Sequence, residues 1–451
     1  MSRPVSDFPV SGEALGRIDV AALALYLSRP SLALGVYPAS PWQDATGSQG
    51  TAHGGETGTA DPRELGERLA DAVRRVVGPH RAVAVLYDGS PGATALLAAA
   101  GRAVDAEVSV VVADHPDPHG ASVAVPAQQV LALLGGHHRF LLAEADRLLA
   151  PGPTASNPAE AARLPDPGPT ASNPVAPDLA RTPLVRAAEA RATQLGATVI
   201  LTADGCEELL QSGPLPVPSS RTGMRATGRQ LADRWQAEGV AAALADAAAV
   251  LGRGARARRL RARLHVALAP FAQALGEAPR VLAPDLRAHV EAWTAGWIRR
   301  LAECLAGDRD PVRAYVRARM ARFAGPLPAA VAAAAPVPRA SPFLDPGFTA
   351  WALRLPPDAR YDARRPTPHL RRNGLLVSLV SQAARGALPT APPPAAPITV
   401  PGEAGEYPLC RKLGLLTPGD GVPVDAQARL AVLEEWLSGA ERVSRPDRSG
   451  G

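Results

Sequence analysis

The chain has 451 residues, is 46% hydrophobic and carries a formal net charge of +5, enough material for one large core or two smaller ones. No apolar run reaches the roughly 18–20 residues that a membrane span needs, so no membrane partner is expected. The arginines are scattered among Ala, Pro and Gly without a dense basic stripe, which argues against a nucleic-acid partner.

The first residues lack the basic stretch followed by an apolar one that marks a secretory signal. Cys206, Cys304 and Cys410 are far apart and in no metal-ligand spacing, which fits a reducing, cytoplasmic setting. Lys412 is the single lysine, so any mechanism that needs one has one candidate.

Residues 1–78 read as a flank, with a helical stretch at 18–27, a Gly/Thr/Ser-rich segment near 45–60 and an amphipathic helix over 62–77 that Asp61 is placed to cap. From Ala82 the pattern alternates. Strands are expected at 82–87, 107–113, 139–142 and 198–202, with helices at 92–103, 121–134, 183–195 and from 207. Strands alternating with helices of this length predict an α/β fold: a parallel sheet of about five strands covered by helices on both faces.

Within the domain 79–390, the octapeptide PGPTASNP occurs at 151–158 and again at 167–174. It lies in a Pro/Ala-rich insertion, 150–181, too poor in large apolar residues to pack, and so expected to be a disordered surface loop. Residues 224–335 are rich in Ala, Arg and Leu at helical spacing and include Trp235, Trp293 and Trp297, expected as core residues of an added helical layer. Residues 391–451 read as a linker and helical tail.

Two segments carry the chemistry. VAVLYDGSPGATALL at 83–97 and VILTADGCEELL at 199–210 are each a buried-strand run, a tight polar turn and a helix start. At the carboxyl end of a parallel strand, backbone N–H groups and a helix N-terminus together favour an anion. That layout points to a nucleotide phosphate.

These segments, with RASPFLD at 339–345 and FTAWALRLPP at 348–357, resemble the synthetase half of the asparagine synthetase family. The tail, SQAARGALP at 381–389 and LCRKLGLLTP through LAVLEEWL at 409–437, resembles bacterial relatives that close peptide macrolactams, the lasso peptide cyclase type. The resemblance runs from about residue 15 over nearly the whole chain. It implies a pyrophosphatase-type, adenine-nucleotide alpha-hydrolase-like fold that uses ATP and Mg2+ to adenylate a small-molecule or peptide carboxylate, which an amine then attacks. The family's amino-terminal glutaminase has no counterpart here, Ser2 lying in a short polar leader.

By that resemblance, Asp88, Gly89, Ser90, Gly92 and Thr94 belong to the pyrophosphate loop, where the family carries Ser-Gly-Gly-x-Asp-Ser. Ala113, at the end of the second strand, and Asp204 and Gly205 complete the nucleotide-binding set. Glu207 and Glu208 stand where the family holds magnesium with Asp-Glu, and Glu208 is also a catalytic candidate. The family's lysine before the carboxyl-terminal helix is Val377 here, and an arginine one turn later is Ser381. Arg371 and Arg372 are the replacement cations, although a guanidinium fork is not an ammonium point charge.

Two readings of each residue stay open. A carboxylate about 4–5 Å from a phosphate is repelled by roughly 3–4 kcal/mol at an effective dielectric near 20. Each hydrogen bond to a charged group returns about 1.5–3 kcal/mol. Asp88 therefore opposes a phosphate or caps the helix that follows it. Glu207 and Glu208 hold magnesium or merely complement a helix dipole. His137 and His138, adjacent in a turn, are not expected as a metal pair. His115 and His119, in the loop after the second strand, are candidate contacts on the side where the resembled family binds adenine, and Asp345 is expected to lock a turn. The resemblance therefore implies an ATP-dependent amide ligase or a non-catalytic member that binds a partner protein, beside the alternative of an unrelated function.

Overall fold

The computed structural model describes residues 20–28, 60–105, 108–114, 122, 124–134, 138–144, 183–212, 221–240, 243–244, 278–307, 311–320, 323, 337–391, 406–417, 422 and 424–443. Five strands form one sheet: β1 (Val83–Tyr87), β2 (Val108–Asp114), β3 (His138–Glu144), β4 (Val199–Leu201) and β5 (Arg339–Ala340). Their order is β3-β2-β1-β4-β5 and every pairing is parallel. The chain steps from β1 outward to β3, then returns to the other side of β1 to lay down β4 and β5. The switch point therefore falls between β1 and β4, where α/β sheets place their ligands.

The period-2 alternation of the strands divides the core. Val83, Val85 and Tyr87, with Val110, Val112 and Leu201, pack beneath helices Leu65–Val77, Pro91–Ala103 and Ala124–Leu134. Ala84, Val111 and Ile200 point the other way, onto Ala188 and Ala192 of helix Pro183–Gln194. The sheet is thus covered on both faces, the α/β architecture that the strand and helix pattern predicts. The fifth strand is only two residues long, so no apolar run announces it.

A second core joins segments far apart in sequence. Helix Val20–Ser28 buries Leu23, Leu25 and Leu27 against Leu286 and Val290 of helix Pro284–Gly307 and against Leu430, Leu433 and Leu437 of helix Val424–Val443. Glu434 ties the tail together by accepting from Leu409 N at 2.6 Å and Cys410 N at 3.0 Å. Trp293 and Trp297 stack with ring centroids 6.5 Å apart. Trp235 departs from the core expectation: it is 60% exposed.

The SPFLD block is a packing device at the carboxyl end of β5. Ser341 Oγ donates to Asp204 O at 2.7 Å. Asp345 caps helix Pro346–Ala352 by accepting from Phe348 N at 2.8 Å, and it takes the Arg75 guanidinium at 3.1 and 2.6 Å. Burial alone would push the Asp345 carboxyl up, but the Arg75 and backbone hydrogen bonds hold it below the usual carboxylate range. The insertion 150–181, both PGPTASNP copies, His115, His119 and His137 lie outside the described residues.

Candidate functional site

The loops after β1 and β4 meet at the switch point. A Cβ built on Gly92 would sit 2.2 Å from Cys206 Sγ and 3.7 Å from Ala203 Cβ. The thiol of the second loop therefore fills the space beside the first turn of helix Pro91–Ala103. Gly205 allows this approach. Its φ of +83° is the left-handed conformation that glycine adopts without penalty, and a Cβ there would stand 2.6 Å from Leu344 of the SPFLD block. Burial raises the Cys206 pKa well above its ordinary value, and the negative charges of Glu207, Glu208, Asp88 and Asp204 raise it further.

The polar groups of the first loop are turned onto the loop itself. Asp88 Oδ1 accepts from Ser90 N at 2.9 Å. Ser90 is buried, and its Oγ caps the helix by accepting from Ala93 N at 3.1 Å. Thr94, also buried, donates to Ser90 O at 2.9 Å and lies 3.0 Å from the Tyr87 hydroxyl. Burial pushes that tyrosine up to about 12, so it remains a neutral hydrogen-bonding group. Pro91 brings no N–H to the turn. Gly89, at φ +79°, keeps the turn tight.

The acids of the second loop face arginines. Asp204 Oδ2 accepts from Thr202 Oγ1 at 2.7 Å and lies 3.6 Å from Arg339 Nη2, while Arg339 also pairs with Glu189 at 2.9 Å. Glu208 is buried in helix Cys206–Leu210, 3.8 Å from the guanidinium of Arg319 on helix Pro311–Met320. Glu207 is half-buried beside it.

Magnesium requires near-octahedral oxygen ligands at about 2.0–2.1 Å. Among the described residues no group of three or more His, Cys, Asp or Glu side chains is arranged to hold a metal. Of the two acids expected to hold magnesium, Glu208 lies 3.8 Å from Arg319, and Glu207 is half-buried beside it.

The candidate cations lie in a different setting. Arg371 is buried and grips Asp233 with two charge-assisted hydrogen bonds, 2.7 and 2.6 Å, while its Nη1 donates to the carbonyls of Arg365 and Pro366. Swinging it toward the loops would forfeit both ends of that arrangement. Arg372 is half-buried in helix Pro368–Arg372, and its carbonyl accepts from Ser212 N at 2.9 Å. Val377 packs in an apolar cluster with Leu370, Val380 and Leu388. Ser381 Oγ caps helix Gln382–Arg385. Ala113 lies half-buried near the end of β2, and Lys412 is exposed in helix Pro408–Lys412.

Arg319, Arg339, Asp233 and the plugging role of Cys206 are absent from the sequence reading. Arg339 had a signal, since it opens the RASPFLD block. The pairing of a glycine with a thiol 114 positions later has none in a single sequence. A scan of the chain against protein-family models finds no match, and a search of curated proteins finds none either.

Proposed function

We propose that this chain is an asparagine synthetase-like protein that retains the backbone cradle of an ATP-dependent amide ligase and acts by binding, without adenylating a carboxylate itself. The observation that carries this reading is the filling of the space beside Gly92 by Cys206 Sγ. In the family resembled, an aspartate belongs at Gly92, and here the room for any side chain is taken. The inward hydrogen bonds of Asp88, Ser90 and Thr94, the arginines facing Asp204 and Glu208, and the burial of Val377 support it independently.

A second reading, an ATP- and Mg2+-dependent ligase acting on a small-molecule or peptide carboxylate, is favoured by the meeting of the two loops between β1 and β4. On either reading the chain works in the cytoplasm. Buried unpaired thiols at Cys206 and Cys410 suit a reducing compartment, and among the described residues no helix is long and apolar enough to cross a membrane.

The experiment is turnover. Incubated with Mg2+-ATP and a panel of carboxylates and amines, the chain is expected to form AMP and pyrophosphate no faster than buffer. Sustained AMP formation that Glu208→Gln abolishes would overturn the non-catalytic reading.

A further inference from the structure

A cavity of about 700 Å³ opens at the far end of helix Pro91–Ala103. Arg102, in the last turn of that helix, lines it, whereas the loop at Gly92 belongs to the first turn. At 1.5 Å per residue the two are about 15 Å apart along the helix, so this cavity is separate from the Cys206 site. Its size is that of a small-molecule pocket, roughly 300–1,000 Å³.

The charged lining is predominantly basic. Arg63, Arg102, Arg364 and Arg365 surround the cavity, and Asp362 is the one carboxylate among the lining residues. That carboxylate is already committed, accepting from Arg365 Nε at 2.9 Å and from Arg364 N at 3.1 Å. Arg63, Arg102 and Arg364 are exposed, and none has a carboxylate partner among the described residues. Three lining arginines without a carboxylate partner among the described residues leave the cavity a surplus of positive charge, which concentrates anions there. Leu375 and Leu379 supply an apolar wall behind them.

The pocket is built on fixed elements. The Tyr361 hydroxyl donates to Asp233 at 2.7 Å, and the carbonyls of Arg365 and Pro366 accept from Arg371. The buried Arg371–Asp233 pair therefore anchors the rim that carries Arg364 and Arg365. Beside that rim, a Cβ on Gly374 would stand 2.9 Å from Asp362 Cβ and Asp362 N, so glycine there lets helix Gly374–Ser378 pack directly against it.

We infer that this arginine-lined cavity binds a phosphate-bearing small molecule of mononucleotide size, its phosphate held by Arg63, Arg102 and Arg364 and its organic part against Leu375 and Leu379. Guanidinium forks suit phosphate oxygens, which they take two at a time, and the apolar wall accepts a base or comparable group. The inference rests on this cavity and stands whether or not the Cys206 site handles ATP.

The test is isothermal titration of the full chain with AMP, without magnesium. Saturable binding is expected, weakened about tenfold or more in the double variant R102Q/R364Q, which removes two charge-assisted contacts. The charge-matched double variant R81Q/R191Q, placed elsewhere on the surface, is expected to bind as the unchanged chain does. Absence of saturable binding overturns the inference, as does equal weakening in both double variants, which would signal bulk charge alone. Binding untouched by R102Q/R364Q overturns it too, because the AMP then sits elsewhere. AMP formation from ATP is read separately, so failure of this inference and failure of the non-catalytic reading are distinguishable.

Discussion

Replacing Asp233 with alanine is expected to destabilise the chain by about 3–5 kcal/mol, because it strands the Arg371 guanidinium as an uncompensated buried charge. Both side chains are nearly sealed from solvent, 7% and 3% exposed for Arg371 and Asp233, so screening does little for the survivor. Arg371→Ala should cost a similar amount, since Asp233 would keep only its hydrogen bond from Tyr361. The double variant should cost little more than either single one, which is the signature of coupling within one pair.

Acid should mimic Asp233→Ala. Burial alone would raise the Asp233 pKa, but the hydrogen bonds from Arg371 and Tyr361 outweigh it and leave the carboxyl lowered. A carboxyl with a depressed folded-state pKa contributes stability that is present above its unfolded value, about 3.9, and is lost as the pH falls through the folded one. Urea denaturation of the four chains from neutral pH downward checks both statements. A double variant that costs the sum of the singles would show that the two residues act apart.

Gly92→Ala is the second large effect, and its sign is informative. Within a helix, alanine is ordinarily better than glycine by roughly 0.5–1 kcal/mol. Here the added methyl group would meet Cys206 Sγ at 2.2 Å, inside any tolerable contact. Overpacking of this kind typically costs about 1–3 kcal/mol and occasionally more. Cys206→Ala removes the sulfur and leaves its Cβ at 3.4 Å, so G92A/C206A should regain most of the loss. The thermal midpoints of the three variants report this directly. A Gly92→Ala chain as stable as the parent would mean that the two loops do not touch.

The sheet and its flanking helices were legible because valine-rich runs of five to seven residues alternate with helical periodicity, and a buried parallel strand leaves that pattern in any sequence. β5 was not, because two residues have no period; it is held by its pairing with Ile200 and Leu201. The meeting of the two loops followed from the rule that ligand sites lie beyond strand carboxyl ends. What fills the space between them did not, since the Gly92–Cys206 and Glu208–Arg319 contacts join residues more than a hundred positions apart. The role of Arg371 illustrates the same limit. A cation near the family's lysine position reads as a candidate for chemistry, yet its setting is decided by Asp233 on helix Arg221–Glu238, which no local pattern announces.

The central claim is that a triphosphate cradle persists in its backbone while its own side chains occupy the ligand's place. The most direct measurement is the melting temperature of the R102Q/R364Q chain, in which the distant arginine pocket is silenced, titrated with Mg2+-ATP into the millimolar range. A ligand at a hundredfold excess over its dissociation constant stabilises a fold by about 2.7 kcal/mol. The account predicts a melting temperature that does not move; one that climbs with Mg2+-ATP concentration and stays flat with ATP in chelator would contradict it.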